Sequence, residues 1–411
     1  MLSGIGRRIH DGASGKSLNF RGGPATRIHA LLQWAVMDAG AVLAKGRGMI
    51  GFEIEISLLV TNQHGVALPG DSDLARCNPF ALKLVSDRRQ GHSNIEFVTD
   101  AVAVVGAGGA APAGVARLIA QLGAIRTMRD ALYAAQPGGF AAAVGPYAAA
   151  IADGLTARII NFPPGYAPAE NDGSDGLFLH YTLGVPRRAL GAFFAMVRAA
   201  APANPGSHLR RARFRAGQAP NFAANLVAAY GVFAHGAPAA NVTALRAYAE
   251  LMYTQIAAVA DYVDNVPPVG QVKNGTVALC RASFFEIYPD LPLSVRNFLA
   301  QEWANDTIID RIALFQGVTE TGGNADFSEN IQRAPAGQVP FTLGEYVQSA
   351  CTGLPQVPQT SMFGDMTLVA PVPEYGVDQI VFEIRTRGAH YKTWAQVDAD
   401  LRALAAWVQA N

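Results

Sequence analysis

Cysteine is scarce in this chain. Cys77, Cys280 and Cys351 are widely spaced and odd in number, which argues against both a disulfide framework and a paired CxxC metal site. They read as buried small hydrophobes. Net charge is missing as well: 32 basic side chains balance 32 acidic ones, and charged residues make up only 16% of the sequence. No global field therefore draws the molecule onto nucleic acid or membrane, and a partner must be recognised locally. Arg7 and Arg8 lack an apolar stretch behind them, so no cleaved secretory signal is expected. The expected compartment is the cytoplasm, with signal-independent export as a bacterial effector as the alternative. The one uncharged run of membrane-spanning length, ALYAAQPGGFAAAVGPYAAAIA (131–152), is built from weakly apolar alanines and interrupted by QPGG and GP. It reads as helix–loop–helix. The HExxH and GxSxG signatures of zinc peptidases and serine hydrolases are absent too.

What is present is apolar mass. Half of the 411 residues are hydrophobic, enough for a substantial core. Residues 1–26, rich in Gly, Ser and Arg without periodicity, read as a flexible leader or a junction to something upstream, and 27–411 as a single domain with helical insertions at about 187–270 and 292–335. Strands are expected at 48–60, 93–100, 176–185, 275–284 and 376–388. Helices are expected at 30–45, 114–135, 187–200, 242–265 and 292–315, with a last one from TWAQVDADLRALAAWVQ. The longest of these is 242–265. Arg210, Arg211, Arg213 and Arg215 form a local basic cluster, suited to an anionic ligand or simply to a solvated loop.

Two motifs imitate nucleotide sites. VAVVGAGGAAPAGVARLIAQLG (102–123) places Gly106, Gly108 and Ala111 after an apolar run and before a helix, as an NAD-binding oxidoreductase would. Pro112 and Gly114 crowd the helix start, however, and no acidic strand end follows about 20 residues on. A Gly/Ala-rich turn that lets helix and strand pack closely is the plainer reading. HDGASGKS (10–17) ends like a P-loop but has His10 in place of the first glycine and no strand before it.

The strands themselves carry more information. In GMIGFEIEISLLV (48–60), Ile50, Phe52, Ile54 and Ile56 share one face, and Gly51, Glu53, Glu55 and Ser57 the other. SNIEFVTD sets Glu96 opposite Ile95 and Phe97. GLFLHYTLGV sets His180 with Phe178 and Thr182, opposite Leu179, Tyr181 and Leu183. QIVFEIRTRG sets Glu383, Arg385 and Arg387 opposite Ile380, Phe382 and Ile384. Polar residues on one face fit an antiparallel sheet facing a cleft, not a helix-covered parallel one. Converging carboxylates repel and raise one another's pKa unless a cation lies between them. Oxygen donors with one imidazole suit magnesium or manganese better than structural zinc.

The set GFEIEI, NIEFVTD, FLHYTLG and VFEIRTRG resembles the carboxylate–amine ligase superfamily of glutamine synthetase, glutamate–cysteine ligase and the amidoligases. The resemblance spans residues 48–388. It implies an α+β fold with a glutamine-synthetase-like curved antiparallel sheet forming a funnel and helices packed on its outer face. It implies Glu53, Glu55, Glu96, His180 and Glu383 as ligands of two or three Mg²⁺ ions, with Mn²⁺ as substitute. Arg385, Glu383 and Glu96 would serve catalysis, and Arg387 would contact ATP; Lys273 and Arg281, flanking the strand GTVALCR, read either as phosphate contacts for ATP or as ordinary charges at strand ends. The activity implied is ATP-dependent joining of a carboxylate to an amine through an acyl phosphate, on a small molecule, peptide or protein. The chain departs from the amidoligase pattern where a second histidine commonly follows the strand histidine. A non-catalytic binding module on the same fold is the rival expectation.

Overall fold

The computed structural model describes residues 48–89, 92–106, 109–147, 149–152, 155–161, 177–200, 207–260, 277–282, 284–316, 330–331, 341–354, 369–372, 377–384 and 391–411. The expected leader, the helix at 30–45 and the P-loop-like segment lie outside them, as do Lys273, Arg385 and Arg387.

The described residues open with four strands, β1 (Met49–Asn62), β2 (Ser72–Cys77), β3 (Leu82–Arg89) and β4 (His92–Thr99). Short strands β5 (Val102–Ala103), β6 (Val105–Gly106) and β7 (Gly109–Ala110) lead to helix α1 (Pro112–Ala134). Then come β8 (Gly138–Gly139), α2 (Phe140–Val144), β9 (Ala149–Ile151), β10 (Ala157–Ile159) and β11 (Leu177–Pro186). A helical stretch follows: α3 (Leu190–Ala200), α4 (Ser207–Ala234) and α5 (Ala239–Ala260). After β12 (Ala278–Cys280) run α6 (Phe284–Ile287), α7 (Leu293–Ala304) and α8 (Thr307–Gln316). The pair β13 (Asn330–Ile331) and β14 (Phe341–Thr342) precedes α9 (Leu343–Thr352). The chain closes with β15 (Val369–Val372), β16 (Val377–Ile384), β17 (Tyr391–Lys392) and α10 (Trp394–Ala410).

Among the described residues thirteen strands form one sheet, whose main path runs β12-β16-β11-β1-β4-β3-β2-β9. Among the described residues every strand pairing is antiparallel. The fold is thus α+β, as the one-sided polarity of the strands implied. Ile50, Phe52, Ile54, Ile95, Phe97, Leu179, Tyr181, Leu183, Ile380, Phe382 and Ile384 are almost wholly buried on its apolar face. Each such aliphatic or aromatic side chain contributes about 1.5–3 kcal/mol by leaving water. Phe193 and Phe194 of α3 pack on Phe382, and Phe193 also meets Trp407 of α10. These contacts hold two helices against that face, which leaves the other for the carboxylates.

The dinucleotide-like segment has a different use. β6 and β7 make a tiny hairpin, α1 starts at Pro112, and among the described residues no parallel β–α–β unit exists to support such a site. A Cβ on Gly114 would sit 2.0 Å from the Ala103 carbonyl oxygen, so the glycine serves a close helix-to-backbone approach. Gln121 of α1 reinforces it, donating to the Ala81 and Asp100 carbonyls.

Three expectations need correction. The arginine cluster stands at the start of α4, at 28 residues the longest helix described, not in a loop. Arg215 is 2% exposed and donates to the Ala257 carbonyl at 2.7 Å, so it fastens α4 to α5. The single helix at 292–315 is two, α7 and α8, separated where Asp306 takes φ 56° and Ile309 N–H bonds back to its carbonyl. The strand at 275–284 shrinks to β12, and Phe284 already begins α6. Residues 131–152 contain the end of α1, then α2 and β9. No helix among the described residues is long and apolar enough to cross a membrane.

Candidate metal centre on the polar sheet face

Strand register assembles the site. Glu53 of β1 lies opposite His180 of β11, and Glu55 lies opposite Glu96 of β4. On the far side of β11, Thr182 lies opposite Glu383 of β16, which in turn faces Leu279 of β12. Residues two apart on a strand share a face, and so do directly paired residues. Glu53, Glu55, Glu96, His180 and Glu383 therefore project from one side of four adjacent strands.

Their spacing divides them. One ligand atom each from Glu53, Glu96 and His180 lie within 4.8 Å of one another. An octahedral magnesium ion with bonds of about 2.1 Å separates opposite oxygens by about 4.2 Å, so small rotamer changes would close this trio on a cation. Glu383 flanks it, with Oε1 3.5 Å from His180 Nδ1, and Glu53 Oε2 is 3.7 Å from the same nitrogen. The other Glu383 oxygen faces Arg281 Nη1 at 3.4 Å. Glu55 is only 6% exposed and its Oε1 accepts a hydrogen bond from Asn94 Nδ2 at 3.0 Å. Three of the five expected ligands are thus grouped, and two stand beside them, each held by a neighbouring donor.

Electrostatics follow from this crowding. Burial, then the charges of Glu53, Asp87, Glu55 and Asp71, lift the Glu96 carboxyl well above the usual carboxylate range. A divalent cation would remove that penalty, and a donor set of carboxylate oxygens with one imidazole fits magnesium or manganese. On one flank the Phe178 ring meets His180 edge-on, centroids 4.9 Å apart, and Tyr391 lies 6.4 Å beyond it. On the opposite flank Arg281 presents a mostly buried guanidinium.

Arg281, expected near ATP, is therefore beside the cluster; Lys273, Arg385 and Arg387 fall outside the described residues. Asn94 escaped notice in the sequence although its position, two residues before Glu96, assigns it to the same face. Phe178 was visible by the same parity but carried no chemical signature. No family model, curated protein or solved structure matches the chain.

Proposed function

We propose that this chain is an ATP- and magnesium-dependent carboxylate–amine ligase whose sheet forms the glutamine-synthetase-like funnel. The observation that carries the reading is the register-built convergence of Glu53, Glu96 and His180, with Glu55 and Glu383 alongside. Glu53, Glu96 and His180 would hold the first ion; Glu55 and Glu383 would complete this or a neighbouring one. Magnesium held there would supply positive charge to the phosphoryl oxygens of ATP. Arg281, anchored against Glu383, offers further positive charge from the β12 side; the sequence resemblance puts Arg385 near the transferred phosphoryl group, and Lys273 and Arg387 would contact ATP. A carboxylate oxygen of the acid attacks the γ-phosphorus and ADP leaves with the bridging oxygen. The amine then attacks the acyl carbon; phosphate departs with the C–O electron pair and takes up the proton the amine loses. No protein nucleophile is needed, since fixed charges stabilise both steps.

Hydroxylamine gives a direct assay, because it intercepts an acyl phosphate as a hydroxamate. Incubation with Mg·ATP, hydroxylamine and a panel of amino, dicarboxylic and peptide acids should yield hydroxamate and ADP in equal amounts. Loss of one transition-state contact typically costs about 10²–10³-fold in rate, so Glu53→Gln and Glu383→Gln should drop by that much. Cation binding without turnover of any acid would instead make the sheet a binding module. Absence of both would end the proposal.

A further inference from the structure

Asn94 stands out among the residues around the carboxylates. Only 5% of it is exposed, its Nδ2 donates to Glu55 Oε1 at 3.0 Å, and its Oδ1 has no hydrogen-bond partner among the described residues. The amide orientation is fixed by chemistry, since turning it over would set two acceptor oxygens against each other. Buried carbonyl oxygens are normally satisfied, so one left over beside acidic groups calls for a ligand.

The backbone supports the same view. Continuing the register from Ile56–Ile95 would put Ser57 opposite Asn94, but β1 shifts there and Leu59 takes that place. Bulges of this kind re-aim side chains and concentrate next to functional sites. On the other side Asp87 of β3 is the direct cross-strand partner of Asn94, with Cβ atoms about 4.5–5.5 Å apart as such pairs are. Asn94 thus sits between Glu55, Glu96 and Asp87, on the β3 side of the trio that contains His180.

We propose that Asn94 supplies its Oδ1 as a ligand to a divalent cation bound by Glu55 and Glu96, in an oxygen-only position separate from the imidazole of His180. A neutral amide oxygen is the ligand such a place needs. Glu55 and Glu96, with Asp87 beside them, already exceed the charge of a divalent ion, and a fourth carboxylate would leave the metal-free site harder to fold. Absence of nitrogen also sets the position apart chemically, favouring Mg²⁺, Mn²⁺ or Ca²⁺ over zinc. The inference rests on the cation-dependent reading of the site and goes beyond it in naming Asn94 as a ligand.

Manganese alone tests this, with free Mn²⁺ counted by paramagnetic resonance on the purified full chain and no ATP present. Wild type should bind more than one ion. Asn94→Leu, close in shape but without the oxygen, should weaken one ion at least tenfold and leave the remainder unchanged. Asn94→Asp separates ligation from support of Glu55: a ligand role predicts equal or tighter Mn²⁺ binding, together with a lower melting temperature in EDTA. The inference falls if Asn94→Leu binds as wild type does, or if Asn94→Asp weakens binding as much as Asn94→Leu. Wild type that binds no Mn²⁺ at millimolar concentration would overturn the ligase proposal with it, whereas failure of the Asn94 variants alone would leave that proposal standing.

Discussion

Glu96 faces Glu55 across the strand pair and has Glu53 within ligand reach, and Asp87 and Asp71 add to the negative field. A carboxyl whose pKa is higher in the folded chain than in the unfolded one binds more protons when folded. Its contribution to stability is therefore full below the ordinary value of 4.5 and is lost as pH rises through the raised value. In EDTA, the wild-type melting temperature should fall as pH rises from about 5 towards neutrality. Glu96→Gln should flatten that slope and melt above wild type at neutral pH. Saturating Mg²⁺ should raise the wild type by more than it raises the variant. Equal slopes for the two proteins in calorimetry would refute the electrostatic account. At this scale the glutamates and His180 were legible because alternation on half-buried strands fixes which face a residue joins. Asn94 was not, because an amide beside a carboxylate has no signature in residue type and the bulge that exposes its role is a matter of pairing between strands.

Helix α10 shows what anchors an element behind the site. Thr393 accepts from Gln396 N–H, and the Gln396 side chain accepts from Thr393 N–H, a reciprocal cap. Further along, Asp400 accepts from the Tyr181 hydroxyl at 2.8 Å and pairs with buried Lys392 at 3.0 Å. The helix is thus tied to β11, the strand that carries His180, and to β17. Removing the acid of a buried pair costs about 3–5 kcal/mol, so Asp400→Ala should destabilise far more than Tyr181→Phe, for which loss of one hydrogen bond costs about 1 kcal/mol. Thr393→Ala should cost about 1 kcal/mol as well. Urea titrations rank the three; a mild Asp400→Ala would show that Lys392 is satisfied elsewhere. The run that forms this helix and the strongly alternating strands were readable in the sequence. Helix α4 was not, because Pro220 and the arginine-rich start mask its pattern, yet Ala212, Ala216, Ala219, Phe222, Ala223 and Leu226 are all buried along one side. The edge at β12 was overestimated since its neighbour is a side chain: Gln255 of α5 donates to the Ala278 carbonyl and accepts from Cys280 N–H, in place of another strand.

Over the whole molecule, the three cysteines report on how cooperatively these parts hold together. Cys77 ends β2 near one border of the sheet, Cys280 lies in β12 at the opposite border, and Cys351 belongs to α9. All three are free and buried. Burial raises each thiol, that of Cys280 to about 12, so little thiolate exists at neutral pH and solvent access requires opening. An aromatic disulfide reagent should therefore modify none of them quickly in the native protein and all three in denaturant. If the sheet and the surrounding helices unfold as one body, the three sites should react at a common slow rate in low urea, as exchange through global opening demands. Mg²⁺ bound to the folded site should then slow all three by the same factor, because a ligand specific to the native state lowers every path through the unfolded one equally. Peptide mapping of the labelled protein resolves the sites. Early labelling of Cys351, with Cys77 and Cys280 still protected and only those two slowed by Mg²⁺, would mean that α9 opens apart from the sheet and that the metal centre stabilises the sheet alone.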